Sequence, residues 1–208
     1  MVRVKNMKTA KGKKANSVFD RIAPVYGRFF DYQIKNYNAV LENVKKELDF
    51  SGYHSIIDFG CGTGALCSVL NQKGLIVTGI DSSQKMLRIA EEKQKGTGIR
   101  FMNASVLERL PFEDKSFDLS IAAHVAHGLK EHERAKMYAE MSRVTKNLVI
   151  IYDYNQNRSV LTNIAEWLEG GDYFNFIRKV RQELKENFLE VKIINADIRA
   201  SLYVCKPQ

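Results

Sequence analysis

The run Asp-Phe-Gly-Cys-Gly-Thr-Gly, Asp58 to Gly64, holds the residue types and spacing with the most chemistry in this chain. Glycines at alternate positions, Gly60, Gly62 and Gly64, let a strand end turn sharply into a helix. They also let backbone N–H groups approach a ligand that any Cβ would hold away. The apolar pair Ile56 and Ile57 precedes the run, and a second strand-like segment ends Gly-Ile-Asp at Asp81. An acid about twenty positions past such a loop, at the tip of the next strand, is where two ribose hydroxyls find an acceptor. Loop, strand and Asp81 together describe a nucleoside-binding site. Helix capping is the competing role for Asp81, one that Ser82 or Ser83 would fill equally well.

A sheet must present these residues. The chain alternates helical and strand-like signals, which predicts an α/β fold, a parallel sheet covered by helices. Segments 17–30 and 33–48 read as helices, the second with Ile34, Tyr37, Val40, Leu41, Val44 and Leu48 at helical spacing. Strands are expected near 55–59, 75–80, 99–103, 117–122 and 147–153, with helices near 64–73, 83–95 and 131–143 between them. An antiparallel pair is expected near 190–195 and 200–205. Ligands of such sheets collect at the carboxyl ends of the strands, where Asp58, Asp81, Asn103 and Ala123 fall. Asp118 lies at the entering end of its strand and reads as structural.

With 208 residues and no linker beyond its start, the chain reads as one domain over 17–208 preceded by an arm, 1–16. No apolar run reaches the length of a membrane helix and no secretory signal opens the chain, so a soluble, cytoplasmic protein is expected. Three cysteines, Cys61, Cys67 and Cys205, without CxxC spacing, argue against both a disulfide framework and a zinc site; no metal is expected. The formal charge is +8, of which Arg3, Lys5, Lys8, Lys11, Lys13 and Lys14 supply six before the first acid, Asp20. The arm therefore reads as a solvated tail, the alternative being an electrostatic tether to RNA, an anionic surface or an acidic partner. The body lacks the basic stripe interleaved with aromatics that nucleic-acid readout needs.

Taken along its length, the chain resembles class I S-adenosylmethionine-dependent methyltransferases of the ubiquinone and menaquinone biosynthesis type. VFDRIAPVYGRFF resembles that family's cofactor-capping helix, DFGCGTG its first motif and GIDSSQKMLRIA its second. LPFEDKSFDLSIAAHVAHGL, MSRVTKNLVII, RQELKENFLEVKI and ASLYVCKP resemble the regions that follow. The resemblance implies a Rossmann-like seven-stranded sheet in the order 3-2-1-4-5-7-6, with strand seven antiparallel and helices on both faces. It implies S-adenosylmethionine as cofactor. Gly60, Cys61, Gly62 and Gly64 would border its amino-acid part, and Asp58 would order the loop or meet the ammonium group. Asp81 would accept from both ribose hydroxyls, with Ser82 and Met86 beside the adenosine. The family's usual Gly-Asp-Ala on strand three is Asn103, Ala104 and Ser105 here, of which Asn103 or Ser105 would bond the adenine. Ala123, His124 and Tyr26 would complete the surroundings. The family's Pro-Gly-Gly before strand five is replaced by Thr145, Lys146 and Asn147, read as a tighter turn.

Methyl transfer from a sulfonium is an in-line displacement, so the protein aligns nucleophile, methyl and sulfur and excludes water. A base is needed only where the nucleophile starts protonated. His127 and His124, just past strand four, are the catalytic candidates, since a neutral imidazole takes such a proton. Packing by His124 and a helix-start role for His127 stand beside that reading, and Tyr26 and Tyr154 are further candidates. The expected acceptor is a small molecule. Residues 156–187, with Trp167, a Gly170-Gly171 break and the aromatics Tyr173, Phe174 and Phe176, form a candidate substrate lid or, alternatively, core. Two rival functions are a non-catalytic protein that binds the cofactor and a nicotinamide dehydrogenase. The latter wants GxGxxG, which DFGCGTG does not supply.

Overall fold

The computed structural model of the protein describes residues 20, 23–24, 26–157 and 172–208. The basic arm and the first part of the candidate lid, with Trp167 and Gly170-Gly171, lie outside the described residues. Seven strands form one sheet: β1 (Ser55–Phe59), β2 (Ile76–Asp81), β3 (Arg100–Asn103), β4 (Phe117–Ala123), β5 (Thr145–Tyr154), β6 (Glu190–Asn195) and β7 (Ala200–Lys206). Their order is β3-β2-β1-β4-β5-β7-β6, the order that the resemblance implied. β1 to β5 run parallel, and β7 pairs antiparallel with both β5 and β6.

Helices cover both faces, which is why the central strands read as nearly continuous apolar runs. Successive residues of a strand point to opposite faces. Ile150 and Tyr152 of β5 join Ile56, Val77 and Leu119 under α1 (Phe30–Asn43) and α2 (Ala65–Gln72). Val149 and Ile151 join Ile57, Phe59 and Ile80 under α4 (Glu131–Val144) and α5 (Tyr173–Asn187). α3 (Gln84–Lys93) adds Leu87 to the first of these cores.

Several boundaries differ from the sequence reading. α1 begins at Phe30 and ends at Asn43, while 44–47 form turns; Val44 and Leu48 are still buried, at 1% and 4% exposure. The break between the first two helical stretches falls at Phe29, ahead of the expected 31–32. Thr145, Lys146 and Asn147 are the first residues of β5 and not a turn. The Thr145 hydroxyl reaches the Met141 carbonyl (2.6 Å) and the Ser120 hydroxyl (2.8 Å), so α4 passes directly into the strand without glycine. Finally, the aromatic stretch after Gly171 is the first turn of α5, whose buried stripe is Tyr173, Phe176, Ile177, Val180 and Leu184. Its aromatic density is the density of a core-facing helix stripe.

Asp118 has the structural role expected of it. Its carboxylate accepts the His54 and Ser55 backbone N–H groups (2.9 and 3.0 Å), pinning the entry of β1 to β4.

Candidate functional site

The glycine loop leaves β1 and is tied at once to β2, where the Ile80 carbonyl accepts from the Gly60 and Cys61 N–H groups (2.8 and 2.9 Å). Gly60, Gly62 and Gly64 all have positive φ, at 78°, 54° and 79°. Their surroundings differ. A Cβ on Gly60 would stand 2.7 Å from Val125 Cγ2, and one on Gly64 would stand 3.0 Å from the Phe101 ring, so these two are glycines because protein packs on them. A Cβ on Gly62 meets nothing within 4 Å among the described residues. The open side of the loop is therefore at Gly62, with Cys61 turned inward, its Sγ against Gly79.

Asp81 closes the other side. One carboxylate oxygen accepts the Gly62 N–H (2.9 Å) and the other the Ser83 N–H (2.7 Å), fixing both oxygens with lone pairs left for further donors. Ser83, not Asp81, caps α3: its hydroxyl oxygen accepts the Met86 N–H (3.2 Å). That hydroxyl donates in turn to Asp20 (2.6 Å), which brings the segment preceding α1 against the site. Burial raises the Asp81 pKa and the nearby Asp20 charge adds to this, while the two backbone N–H groups oppose it. Asn103 and Ala104 donate to the Asp81 carbonyl (3.0 and 3.1 Å), joining the tips of β2 and β3. Ser105 accepts from Leu107 N–H (3.2 Å), Met86 is 2% exposed, and Tyr26 lies on the helical stretch preceding α1.

Beneath the loop, Asp58 is 1% exposed. One oxygen accepts from the Cys67 thiol (3.2 Å), and the other has no partner among the described residues. Burial pushes its pKa up to about 7; the thiol hydrogen bond opposes this and the Asp81 charge adds to it. Since the native state then binds more protons than the unfolded chain, stability falls as pH rises from about 4 to about 7. The loss is on the order of 4 kcal/mol for a shift of this size. Asp58→Asn is expected to raise the thermal midpoint of the ligand-free protein at pH 8 and to change it little at pH 4; equal shifts at both pH values would place the strain elsewhere.

At the carboxyl ends of β4 and β5 a second group converges. His124, directly after β4, has φ 55°, and its N–H donates to the Tyr152 carbonyl (2.8 Å). A short 3-10 turn, Ala126–Gly128, then carries His127 to Asp153 of β5. Nδ1 of His127 stands 2.7 Å from Asp153 Oδ1, and the His127 N–H donates to Oδ2 (3.2 Å). Nδ1 of His124 is 4.0 Å from the same Oδ1. Burial favours the neutral form of Asp153, but the two imidazoles and the Tyr154 N–H outweigh it and lower the pKa. The His124 ring is about one-third exposed; loss of hydration on its enclosed side lowers its pKa, partly offset by Asp153. Tyr152 and Tyr154 lie against the His124 ring at 4.8 and 5.5 Å. Such a group can exchange a proton or ligate a cation.

Of the candidate lid aromatics, Tyr173 and Phe176 are in the core, at 1% and 0% exposure, and Phe174 is half-buried. Three residues of the site escaped the sequence reading. Asp153 had a signal, an acid inside the buried run Val149–Tyr154, whereas Asp20 and Arg134 had none. Arg134 of α4 is fully buried and binds Glu183 through Nε and Nη2 (2.7 and 2.6 Å) and Asp172 through Nη1 (3.0 Å). It also donates to the Leu129 carbonyl, and Asp172 N–H donates to the His127 carbonyl (3.1 Å). One guanidinium thus fixes the start of α5 to the turn that carries His127.

Comparison with known proteins agrees with this geometry. The family described as "Methyltransferase domain" matches residues 57–152. A demethylmenaquinone methyltransferase of Chlorobaculum tepidum is 31% identical over 141 residues, 62% of this chain and 57% of its own length. That of Thermotoga maritima is 34% identical over 142 residues, 64% of this chain and 58% of its own. The chain thus spans less than two thirds of the length of these relatives. In fold it is similar to a Pyrococcus horikoshii OT3 protein (TM-score 0.67, 23% identity, 83% of this chain and 91% of that one). It is also similar in fold to a SAM-dependent methyltransferase from Aquifex aeolicus (TM-score 0.63, 20% identity, 80% and 89%). Residues 57–152, which carry the glycine loop and Asp81, thus match the methyltransferase domain family, and they lie in a sheet of order β3-β2-β1-β4-β5-β7-β6.

Proposed function

We propose that the protein transfers the methyl group of S-adenosylmethionine to a small-molecule acceptor. The observation that carries this reading is the Gly62–Asp81 pair, an open glycine whose N–H fixes one oxygen of an acid at the next strand tip. The residues fit the cofactor. The Asp58 oxygen that has no partner among the described residues suits an ammonium group, Asp81 suits two vicinal hydroxyls, and the space at Gly62 admits the chain between them. Gly60, Cys61 and Gly64 shape that loop; Ser82, Met86, Asn103, Ala104 and Ser105 border the nucleoside, and Ala123, His124 and Tyr26 close its surroundings. When bound, the cofactor supplies an electrophilic methyl on a positively charged sulfur. The protein's part is to hold a nucleophile in line with it and to exclude water. His127 and His124 stand on the acceptor side of the cleft. The part of 156–187 beyond the described residues, together with Phe174, is the proposed cover of the acceptor.

The relatives named above make a reduced naphthoquinone the first acceptor to assay. Calorimetry tests the cofactor half directly. S-adenosylmethionine and S-adenosylhomocysteine are expected to bind and NAD is not; the opposite pattern would sink the assignment. Asp81→Ala is expected to weaken S-adenosylhomocysteine by about 1.5–3 kcal/mol, the scale of hydrogen bonds to a charged acceptor. A change under roughly 0.5 kcal/mol would reduce Asp81 to a tie between loop and helix. Transfer of radiolabelled methyl to fractions of cell extract, with the product identified, then finds the acceptor.

A further inference from the structure

We propose that His124, His127 and Asp153 form a binding site for one divalent transition-metal ion at the carboxyl edge of β4 and β5. A hydrogen-bonded histidine–aspartate pair needs one imidazole. Here a second converges on the same oxygen, with Nδ1 of His127 at 2.7 Å and Nδ1 of His124 at 4.0 Å from Asp153 Oδ1. One donor atom from each residue lies within 4.8 Å of the others. Around a tetrahedral ion with bonds of about 2.0–2.2 Å, donors stand about 3.3–3.5 Å apart. The short pair has to open and the long ones to close by roughly an ångström, within reach of side-chain rotation.

The backbone holds the three together. Ala123 and Tyr152 are register partners on adjacent parallel strands, so His124, the first residue past β4, stands beside Asp153, which is still within β5. His124 has positive φ, 55°, a conformation that costs a non-glycine residue on the order of 1–3 kcal/mol and that gathers at functional sites. That turn lays its ring over the strand ends, against Tyr152, instead of continuing along β4. Asp153 is fully buried and is anchored by two further N–H donors, from His127 and Tyr154, on its own oxygens.

The donor set names the class of ion. Two imidazoles and one carboxylate suit zinc, iron, cobalt or nickel, whereas magnesium and calcium prefer oxygen alone. Three protein ligands leave coordination positions open, on the partly exposed side at His124. On the function proposed above, the acceptor lies on that side, and a hydroxyl bound there would become more acidic. The ion site stands on these side chains, whichever acceptor is methylated.

The experiment uses the full chain without an affinity tag, stripped by a chelator and titrated with Co2+, then with Zn2+ in competition. Saturable binding of one Co2+ per chain is expected, with visible d–d absorption and no sulfur-to-cobalt charge-transfer band. His124→Ala and Asp153→Asn are expected to weaken it at least tenfold. Should Asp153→Asn fail to fold, His124→Ala decides, because its ring is partly exposed and circular dichroism checks the fold. Absence of saturable binding, a charge-transfer band that assigns the ion to cysteine, or unchanged affinity in folded His124→Ala would each overturn the proposal.

Discussion

Gly62→Val is expected to abolish S-adenosylhomocysteine binding, by at least ~100-fold or about 2.8 kcal/mol, in a protein that still folds. The valine side chain would enter the space where, among the described residues, nothing beyond the chain neighbours lies within 4 Å of an ideal Cβ position, so it collides with ligand and not with the described core. The positive φ of 54° adds strain on the order of 1–2 kcal/mol, which lowers the thermal midpoint but does not unfold the domain. Gly60→Val separates the two effects. Its Cβ meets Val125 at 2.7 Å, so it should destabilise the fold first and binding only as a result. Calorimetry with S-adenosylhomocysteine beside thermal melts reads both variants. Full affinity in folded Gly62→Val would show that the loop faces away from the ligand.

Arg134→Ala is expected to cost about 3–5 kcal/mol of stability, because it strands the buried Glu183 carboxylate in a place built for a cation. For a chain of this length that is a fall in thermal midpoint of roughly 6–20 °C. The paired change Arg134→Met with Glu183→Leu should recover most of the loss, since it removes both charges and keeps apolar volume. If the single variant melts within about 2 °C of the parent, the network is a bystander. The guanidinium also bonds the Leu129 carbonyl and the acid whose N–H holds His127, so amide exchange at 126–129 should rise in the paired variant even where stability is restored.

What could be read from the sequence was chemistry whose partners lie close along the chain or repeat at a fixed period. The glycine loop and Asp81 form one strand–turn–helix–strand unit, and β5 announced itself by its apolar run. A parallel sheet covered by helices followed from the alternation of helical and strand-like segments. Pairings between residues remote from one another in the chain were not legible. Ser83 and Asp20 are 63 positions apart, Arg134 and Glu183 are 49 apart, and His127 and Asp153 are 26 apart. Only the fold brings these together. The same limit left the aromatics at 173–176 open between core and substrate platform. Without knowing that α5 starts at Tyr173, their spacing could not be separated from that of a loop.

β7 follows β6 in the chain yet lies between β5 and β6. During synthesis, then, β6 leaves the ribosome with nowhere to dock, and the outer edge of β5 stays bare until residues 200–206 arrive. An uncovered apolar strand edge recruits other strands, including those of neighbouring nascent chains. Asp153 and Tyr154 sit on that edge opposite Ser201 and Ala200, so the end of β4 and β5 that carries His124, His127 and Asp153 is among the last parts of the molecule to acquire its shape. A pause or premature stop just before β7 would release a chain with an intact glycine loop and an adhesive flank.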